Sequence, residues 1–187
     1  MATPAALEGQ VVRQLQTAHA LKAGALRMFD PMLAAVAKAR DAEGMTEVAD
    51  LLGRMHRVFS GHREETASHA TRLVARLRDL EAGPARGKLH GMSAGAIARA
   101  QLGGRNFGAD ARDAFVFEHL EIATLHLLEQ AAERAGDAET AELARACRAD
   151  DEEMAGAINR NWTNVLSLAL ASKGIPPMRP IETPDAE

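Results

Sequence analysis

An eight-residue segment, H-R-E-E-T-A-S-H at positions 62–69, combines imidazole and carboxylate side chains in a helical spacing. His62, Glu65 and His69 follow one another at steps of three and four residues, which places them on one face of an α-helix. The same face continues with three apolar residues, Met55, Phe59 and Leu73. An inward face carries polar groups only where they have partners. The segment therefore predicts partners for these side chains elsewhere in the chain.

Ionisable residues also occur on the inward stripes of the other predicted helices. The first helix offers His19 and Lys22, the third offers Glu118 and Glu121, and the fourth carries an acidic run at 150–153. Counted from the two short turns at about 1.5 Å per residue, these groups lie within roughly 10 Å of one level. The count assumes that both turns lie at the same end of the bundle. It predicts a polar layer to which all four helices contribute.

Imidazoles and carboxylates on facing helices are a ligand set for iron or manganese, and zinc also accepts it. The candidate metal ligands are His62, Glu65, His69, Glu118, Glu121 and Asp150. A di-metal bundle site takes a carboxylate from each of two helices and Glu-x-x-His from each of the other two. The match is partial, because the fourth helix has no histidine and the first offers no carboxylate at this level.

The same residues also fit a core without metal. As a buried cation, Lys22 would neutralise Glu118 or Glu65 and leave a salt-bridged layer. Structural ion-pair networks of this kind imitate functional sites. The residues alone therefore leave two interpretations open, a metal centre and an ion-paired core.

Composition predicts a soluble, all-helical chain. Apolar residues make up 47% and charged residues 26%, as in ordinary globular domains, whereas aromatic residues make up only 3%. Strand formers are sparse, and Ala, Leu, Arg and Glu dominate. A net charge of -4 offers no nucleic-acid footprint, and no stretch is long and apolar enough for a membrane. A single cysteine, Cys147, and the lack of a signal peptide predict a cytoplasmic location.

The periodicity predicts an all-α fold, a ferritin-like antiparallel four-helix bundle with a long crossover between helices 2 and 3. The predicted helices cover about 3–40, 45–80, 110–135 and 138–172, with a kink or restart at Asp30-Pro31. Two short turns make two hairpins, and residues 82–109 form the crossover, with a short helix at 93–102. Residues 1–174 form the bundle, and the proline-rich residues 175–187 form a flexible tail.

Two motifs resemble a known family. H-R-E-E-T-A-S-H followed by R-L, and F-E-H-L-E-I-A in the third helix, resemble motifs of the YciE/YciF-like branch of the ferritin-like superfamily. The resemblance covers about 11–165 and implies a ferritin-like bundle, a di-metal site and a homodimer. It implies Glu65 and His69 as second-helix ligands and Glu118, with Glu121 nearby, as third-helix ligands. It also implies a fourth-helix ligand at Asp150 or Asp151. The first-helix glutamate of the family falls at Lys22, and a cation there disfavours a second metal ion. The family's tyrosine falls at Leu125, which removes a redox-active or second-shell group.

The function implied by the resemblance is a ferritin-like metal-binding protein with a stress-related oxidase or peroxide-scavenging role. The alternative is a non-catalytic helical scaffold or oligomerisation module with a degenerate, metal-free site. Elemental analysis of protein purified without chelator separates these two classes. The predicted partners are a metal ion and a second copy of the chain, with no nucleic acid and no membrane.

Overall fold

The computed structural model describes residues 4–42, 44–85 and 106–176, and every regular element in these ranges is helical. The elements are α1 (Pro4–Arg40), a 3-10 turn (Thr46–Val48), α2 (Ala49–Asp79), α3 (Phe107–Ala135), α4 (Ala138–Arg160) and α5 (Trp162–Ala171). The predicted all-α bundle is confirmed. The predicted short helix at 93–102 and residues 177–187 of the predicted tail lie outside the described residues. None of the described helices has the length and apolar character needed to cross a membrane.

Local capping fixes where α3 and α4 begin and end. The Asn106 side chain accepts a 2.8 Å hydrogen bond from the Ala109 N–H at the start of α3. At the other end of α3, Gly136 adopts a φ of 74°, the left-handed conformation of a helix C-cap. Asp137 then caps α4 by accepting from the Thr140 N–H at 3.0 Å. These caps produce the short turn between the two helices.

Two predicted helix boundaries differ from the structure. The first helix continues through Pro31 without a restart, and Asp30 accepts a 2.7 Å hydrogen bond from Arg63 instead of capping a new helix. The predicted fourth helix is divided at Asn161, so that α5 is a separate element. The Asn161 side chain donates to the Ala157 carbonyl at 2.8 Å, and such side-chain to backbone bonds compete with helix continuation.

The two short turns lie at opposite ends of the bundle. Arg76, near the end of α2, donates at 2.8 Å to Asp137, in the turn between α3 and α4, and at 2.8 Å to Thr140, in the first turn of α4. Phe107, which begins α3, packs at the other end against a cluster that contains Val48. The prediction that both turns share one end is therefore wrong. The end of α2 and the start of α3 therefore lie at opposite ends of the bundle, so α3 runs parallel to α2. Most of the predicted crossover, residues 86–105, lies outside the described residues.

Three apolar clusters are stacked along the bundle. The cluster nearest the α3–α4 turn contains Val11, Leu15, Leu73, Leu77, Leu125, Leu128 and Cys147. The middle cluster contains Ala25, Phe29, Phe59, Ala114, Met154 and Ile158. The cluster nearest the α1–α2 turn contains Val36, Met45, Val48, Leu51, Leu52 and Leu168. A layer of charged residues lies between the first two clusters, so apolar side chains enclose it along the bundle axis.

Two glycines should respond in opposite directions to substitution by alanine. A Cβ at Gly136 or at Gly61 would meet no atom within 4 Å, so the two sites differ in backbone conformation rather than in space. Gly136→Ala should lower the free energy of unfolding by about 1 kcal/mol, because an L-residue resists positive φ. Gly61→Ala, inside α2, should raise it by about 0.5–1 kcal/mol through helix propensity. Urea unfolding measures both, and a stabilised Gly136→Ala would contradict the assigned turn.

Candidate metal centre

The ammonium group of Lys22 lies in the bundle core. Lys22 is the central residue of the 37-residue helix α1, and its side chain is 1% exposed. Its Nζ donates to both carboxylate oxygens of Asp151, at 2.5 Å and 2.6 Å, and lies 3.4 Å from Glu121 Oε1. Asp151 and Glu121 are themselves buried. The predicted buried cation is therefore confirmed. Its direct contacts are with Asp151 and Glu121, whereas the predicted partner Glu118 acts on it through charge alone and Glu65 is exposed.

A second polar contact crosses the same layer. His62 Nε2 lies 3.2 Å from Glu118 Oε1, and His62 Nδ1 lies 3.3 Å from Glu65 Oε2. The ring of Phe29 meets the imidazole edge-on, with 5.6 Å between ring centroids. The contact between Lys22 and Asp151 joins α1 to α4. The contact between His62 and Glu118 joins α2 to α3. Neither pair of helices is among the main packing contacts, so both contacts run across the diagonals of the bundle.

Burial and the neighbouring charges set the protonation of this layer. Burial lowers the pKa of Lys22, but Glu121 and Asp151 outweigh it and the pKa is raised. For His62 too, burial lowers the pKa, but the hydrogen bond and charge of Glu118 outweigh it. Burial raises the pKa of Glu121 to about 8 and that of Asp151 to about 6, against the opposing charge of Lys22. Of these two acids, Glu121 therefore binds a proton more readily than Asp151.

Three side chains of the layer are arranged as metal ligands. His62, Glu118 and Asp151 each offer one ligand atom, and these atoms lie within 4.8 Å of one another. Atoms bound to a single ion at about 2.1 Å are at most about 4.2 Å apart, so the group needs only a small contraction. Glu118 Oε2 and both Glu121 oxygens are buried without a hydrogen-bond partner in the described structure. The donor set fits one iron, manganese or zinc ion.

The prediction that Glu65 lies on the inward face of its helix is wrong. Its side chain is 55% exposed, although it reaches His62 from the rim. At about 100° per residue, positions 62, 66, 69 and 73 cluster on one line of the helix, and position 65 lies about 60° to one side. Thr66 takes the inward position instead and is buried.

In the fourth helix, too, the buried residue is the sequence neighbour of the predicted one. Asp150 is 46% exposed, and the buried acid is Asp151. The stripe of Cys147, Met154 and Ile158 passes through position 151, and position 150 lies about 60° away from it. The signal for Asp151 was therefore present in the sequence, but steps of three and four residues admitted both acids.

His69 faces the interior as predicted, but it belongs to a separate contact. Its Nε2 lies 2.9 Å from Asp150 Oδ2, and its Nδ1 is buried without a hydrogen-bond partner among the described atoms. His69 is seven residues from His62, about 10 Å along the helix axis. Burial, and then the charge of Lys22, lower the pKa of His69, which favours the neutral ring. His69 and Asp150 are therefore not brought into the three-residue group.

The fold and the buried group define an all-α helical bundle with a candidate metal centre. A family model described as "Domain of unknown function (DUF892)" matches residues 11–171, and the chain belongs to this family. No curated protein sequence matches the chain significantly. The match spans every member of the charged layer. The finer resemblance to the YciE/YciF-like branch stays a prediction.

Removing the ammonium of Lys22 should destabilise the fold in a pH-dependent way. Lys22→Ala leaves Asp151 and Glu121 without their cation, and a broken buried ion pair costs about 3–5 kcal/mol of unfolding free energy. The raised pKa values of Glu121 and Asp151 mean that the folded state binds extra protons. The stability that these protons contribute is complete below the pKa values that the two acids have in the unfolded chain. It is lost as pH rises through their pKa values in the folded chain. The charge of Lys22 opposes both shifts, so its removal raises the two pKa values further and makes ionisation of the acids more costly. The cost of the substitution should therefore be larger near pH 8 than near pH 5.

The control for this comparison is Lys38→Ala, because Lys38 is exposed on the same helix. Chemical unfolding of both variants and of the wild type, in chelator and at the two pH values, gives the differences. The Lys38 variant should match the wild type. A Lys22→Ala cost that is small or independent of pH would contradict the buried ion pair.

Proposed function

We propose that the protein binds one divalent metal ion, iron or manganese, through His62, Glu118 and Asp151. The observation that carries the proposal is the meeting of three buried ligand-type side chains from three helices within 4.8 Å. Buried carboxylate oxygens without partners are costly, and Glu118 Oε2 is such an atom among the described residues. A bound cation would offset that cost.

Lys22 supports a site for one ion rather than two. Its ammonium already contacts both oxygens of Asp151 and lies 3.4 Å from Glu121. A second divalent ion at this position would meet a fixed positive charge at short range. Lys22 therefore supplies the positive charge that a second ion would bring.

Redox chemistry toward oxygen or peroxide is what an iron or manganese ion in such a ligand set would supply. That chemistry agrees with a stress-related oxidase or peroxide-scavenging role, which we include in the proposal. The chain's own contribution is to hold the ligands and to exclude bulk water. Apolar clusters on both sides of the layer serve the second purpose. The cytoplasmic location stays a prediction from Cys147.

A metal-free scaffold is the second candidate function. It is favoured by one observation, the engagement of both Asp151 oxygens by Lys22. In such a protein the layer would only align the helices, and assembly with other chains would be the activity. Metal content separates the two candidates directly.

Titration of chelator-treated protein with iron(II), without oxygen, and with manganese(II) tests the metal site. Calorimetry should show about one ion per chain, and a saturating ion should raise the melting temperature. Glu118→Gln and Asp151→Asn should each weaken binding by about tenfold or more, since each removes an anionic ligand. Glu153→Gln is the matched control, because Glu153 is exposed on the same helix as Asp151.

The proposal fails if the wild type binds no ion, or if the Glu153 variant loses as much affinity as the Asp151 variant. Lys22→Glu adds a further contrast within this experiment. It replaces the fixed cation by a carboxylate and should raise the affinity for either ion. Equal stabilisation of the wild type and Lys22→Glu by metal would show that Lys22 does not occupy the place of an ion.

We also propose that the chain forms a homodimer through the outer face of α3. Val116, Leu120, Ala123 and Leu127 recur at steps of four, three and four residues, and all four are exposed. The opposite face of α3 packs into the core, so this helix is apolar on two sides. A stripe with this spacing is typical of helix pairing.

A two-fold axis that pairs α3 with α3 in antiparallel fashion suits this stripe. With Leu120 opposite Leu127 of the partner subunit, Asp113 falls opposite Arg134 of the partner subunit. The arrangement therefore places opposite charges at both ends of the apolar stripe. A second copy of the chain thus matches both the apolar and the charged positions of this face.

Light scattering after size exclusion tests the dimer. The double variant Leu120→Glu, Leu127→Glu should be monomeric, because it sets like charges against each other across the two-fold axis. Leu166→Glu, at an exposed leucine of α5, should remain dimeric. Circular dichroism should show equal helicity in all three proteins. A wild type that is monomeric at micromolar concentration would contradict the proposal.

A further inference from the structure

A cavity of about 250 Å³ lies on the α1–α2-turn side of the charged layer. Residues from all five helices line it, and most of the lining is apolar, including Met32, Val36, Met55, Phe59, Met154 and Leu168. Phe59 precedes His62 by about one helical turn, and Met154 follows Asp151 by about one turn. The cavity is therefore next to the charged layer, but it is a separate space with a different lining.

The size of the cavity limits the size of its ligand. A cavity of about 150 Å³ lined by leucine, isoleucine and phenylalanine stays dry and binds benzene, with its six carbons. In proportion, this cavity suits about ten non-hydrogen atoms. The methionine side chains in the lining adapt readily to flexible apolar ligands. An unbranched alkyl chain fits these properties.

One cationic side chain of the lining is available to such a ligand. Arg54 is half-buried at the cavity, and no carboxylate pairs with it within the described ranges. Asp110 is the other charged group of the lining, and it has an interaction of its own. Asn161 and Asn164 also line the cavity, and the Asn164 amide donates to the Asn161 side chain at 2.8 Å. A guanidinium group favours a carboxylate, with which it forms paired hydrogen bonds.

We infer that this cavity binds a medium-chain carboxylic acid. The alkyl chain lies among the apolar side chains, and the carboxylate pairs with Arg54. Apolar walls with few polar groups that fix orientation are the usual composition of a small-molecule site. The inference does not depend on the metal site, because none of the three proposed metal ligands lines the cavity.

Octanoate, with ten non-hydrogen atoms, is the probe. Calorimetry on chelator-treated protein should give about one site per chain. Trp162, the single tryptophan, is outside the lining but follows the lining residue Asn161 directly in sequence, so its fluorescence should report the same saturation. Hexanoate should bind about fifteenfold more weakly, since it lacks two methylene groups.

Two arginine variants test the position of the carboxylate. Arg54→Gln should weaken octanoate about tenfold and leave octanol unchanged, because only octanoate loses a charge-assisted contact. Arg57→Gln is the matched control, an exposed arginine one turn further along α2 and outside the lining. Ala157→Phe, which fills the cavity, should weaken both ligands while circular dichroism shows a folded protein.

Three results would overturn the inference. The first is the absence of saturable octanoate binding up to about 1 mM, which corresponds to negligible affinity. The second is an equal loss in the Arg54 and Arg57 variants. The third is unchanged octanoate binding in folded Ala157→Phe. Each of these is independent of metal titration, so failure here leaves the proposed metal site to its own test.

Discussion

The buried contact between Lys22 and Asp151 constrains the rest of the bundle. An ammonium and a carboxylate removed from water are each costly, and their attraction compensates only at close range and with good geometry. The Lys22 side chain must therefore extend across the core from α1 to α4. This contact fixes the level at which α1 and α4 bring their charged groups together. The other charged side chains lie at the same level, with apolar clusters on both sides.

Charge balance explains why the layer favours an added proton and would also favour an added metal ion. Three buried acids, Glu118, Glu121 and Asp151, face two bases, Lys22 and His62. When His62 is neutral, the acids outnumber the cations, and burial makes the excess negative charge expensive. A proton on Glu121 removes part of the excess, and a divalent cation would remove it in another way. Burial raises the pKa of Glu121, and the nearby charges of Asp151 and Glu118 add to the rise. The same buried negative charge would favour a metal ion.

The level of the charged layer was predictable from the sequence, even though the assumed position of the turns was wrong. Lys22 is the middle residue of α1, and Glu121 is the middle residue of α3, so counting from either end gives similar levels. The choice between neighbouring side chains was not predictable. Positions 65 and 66 in α2, like 150 and 151 in α4, both satisfy steps of three and four residues. Contacts with the other helices decide between them, and these exist only in the folded chain.

The two short turns divide the bundle into two hairpins, α1 with α2 and α3 with α4. Both diagonal contacts of the charged layer join one hairpin to the other, and neither lies within a hairpin. Leucine side chains can pack against one another in many registers. A buried ammonium group permits only the register that places its carboxylate partner within hydrogen-bond distance. If one hairpin slid along the other by one helical turn, about 5.4 Å, the charged groups would lie among apolar side chains. The charged layer therefore permits only one register between the apolar faces of the two hairpins.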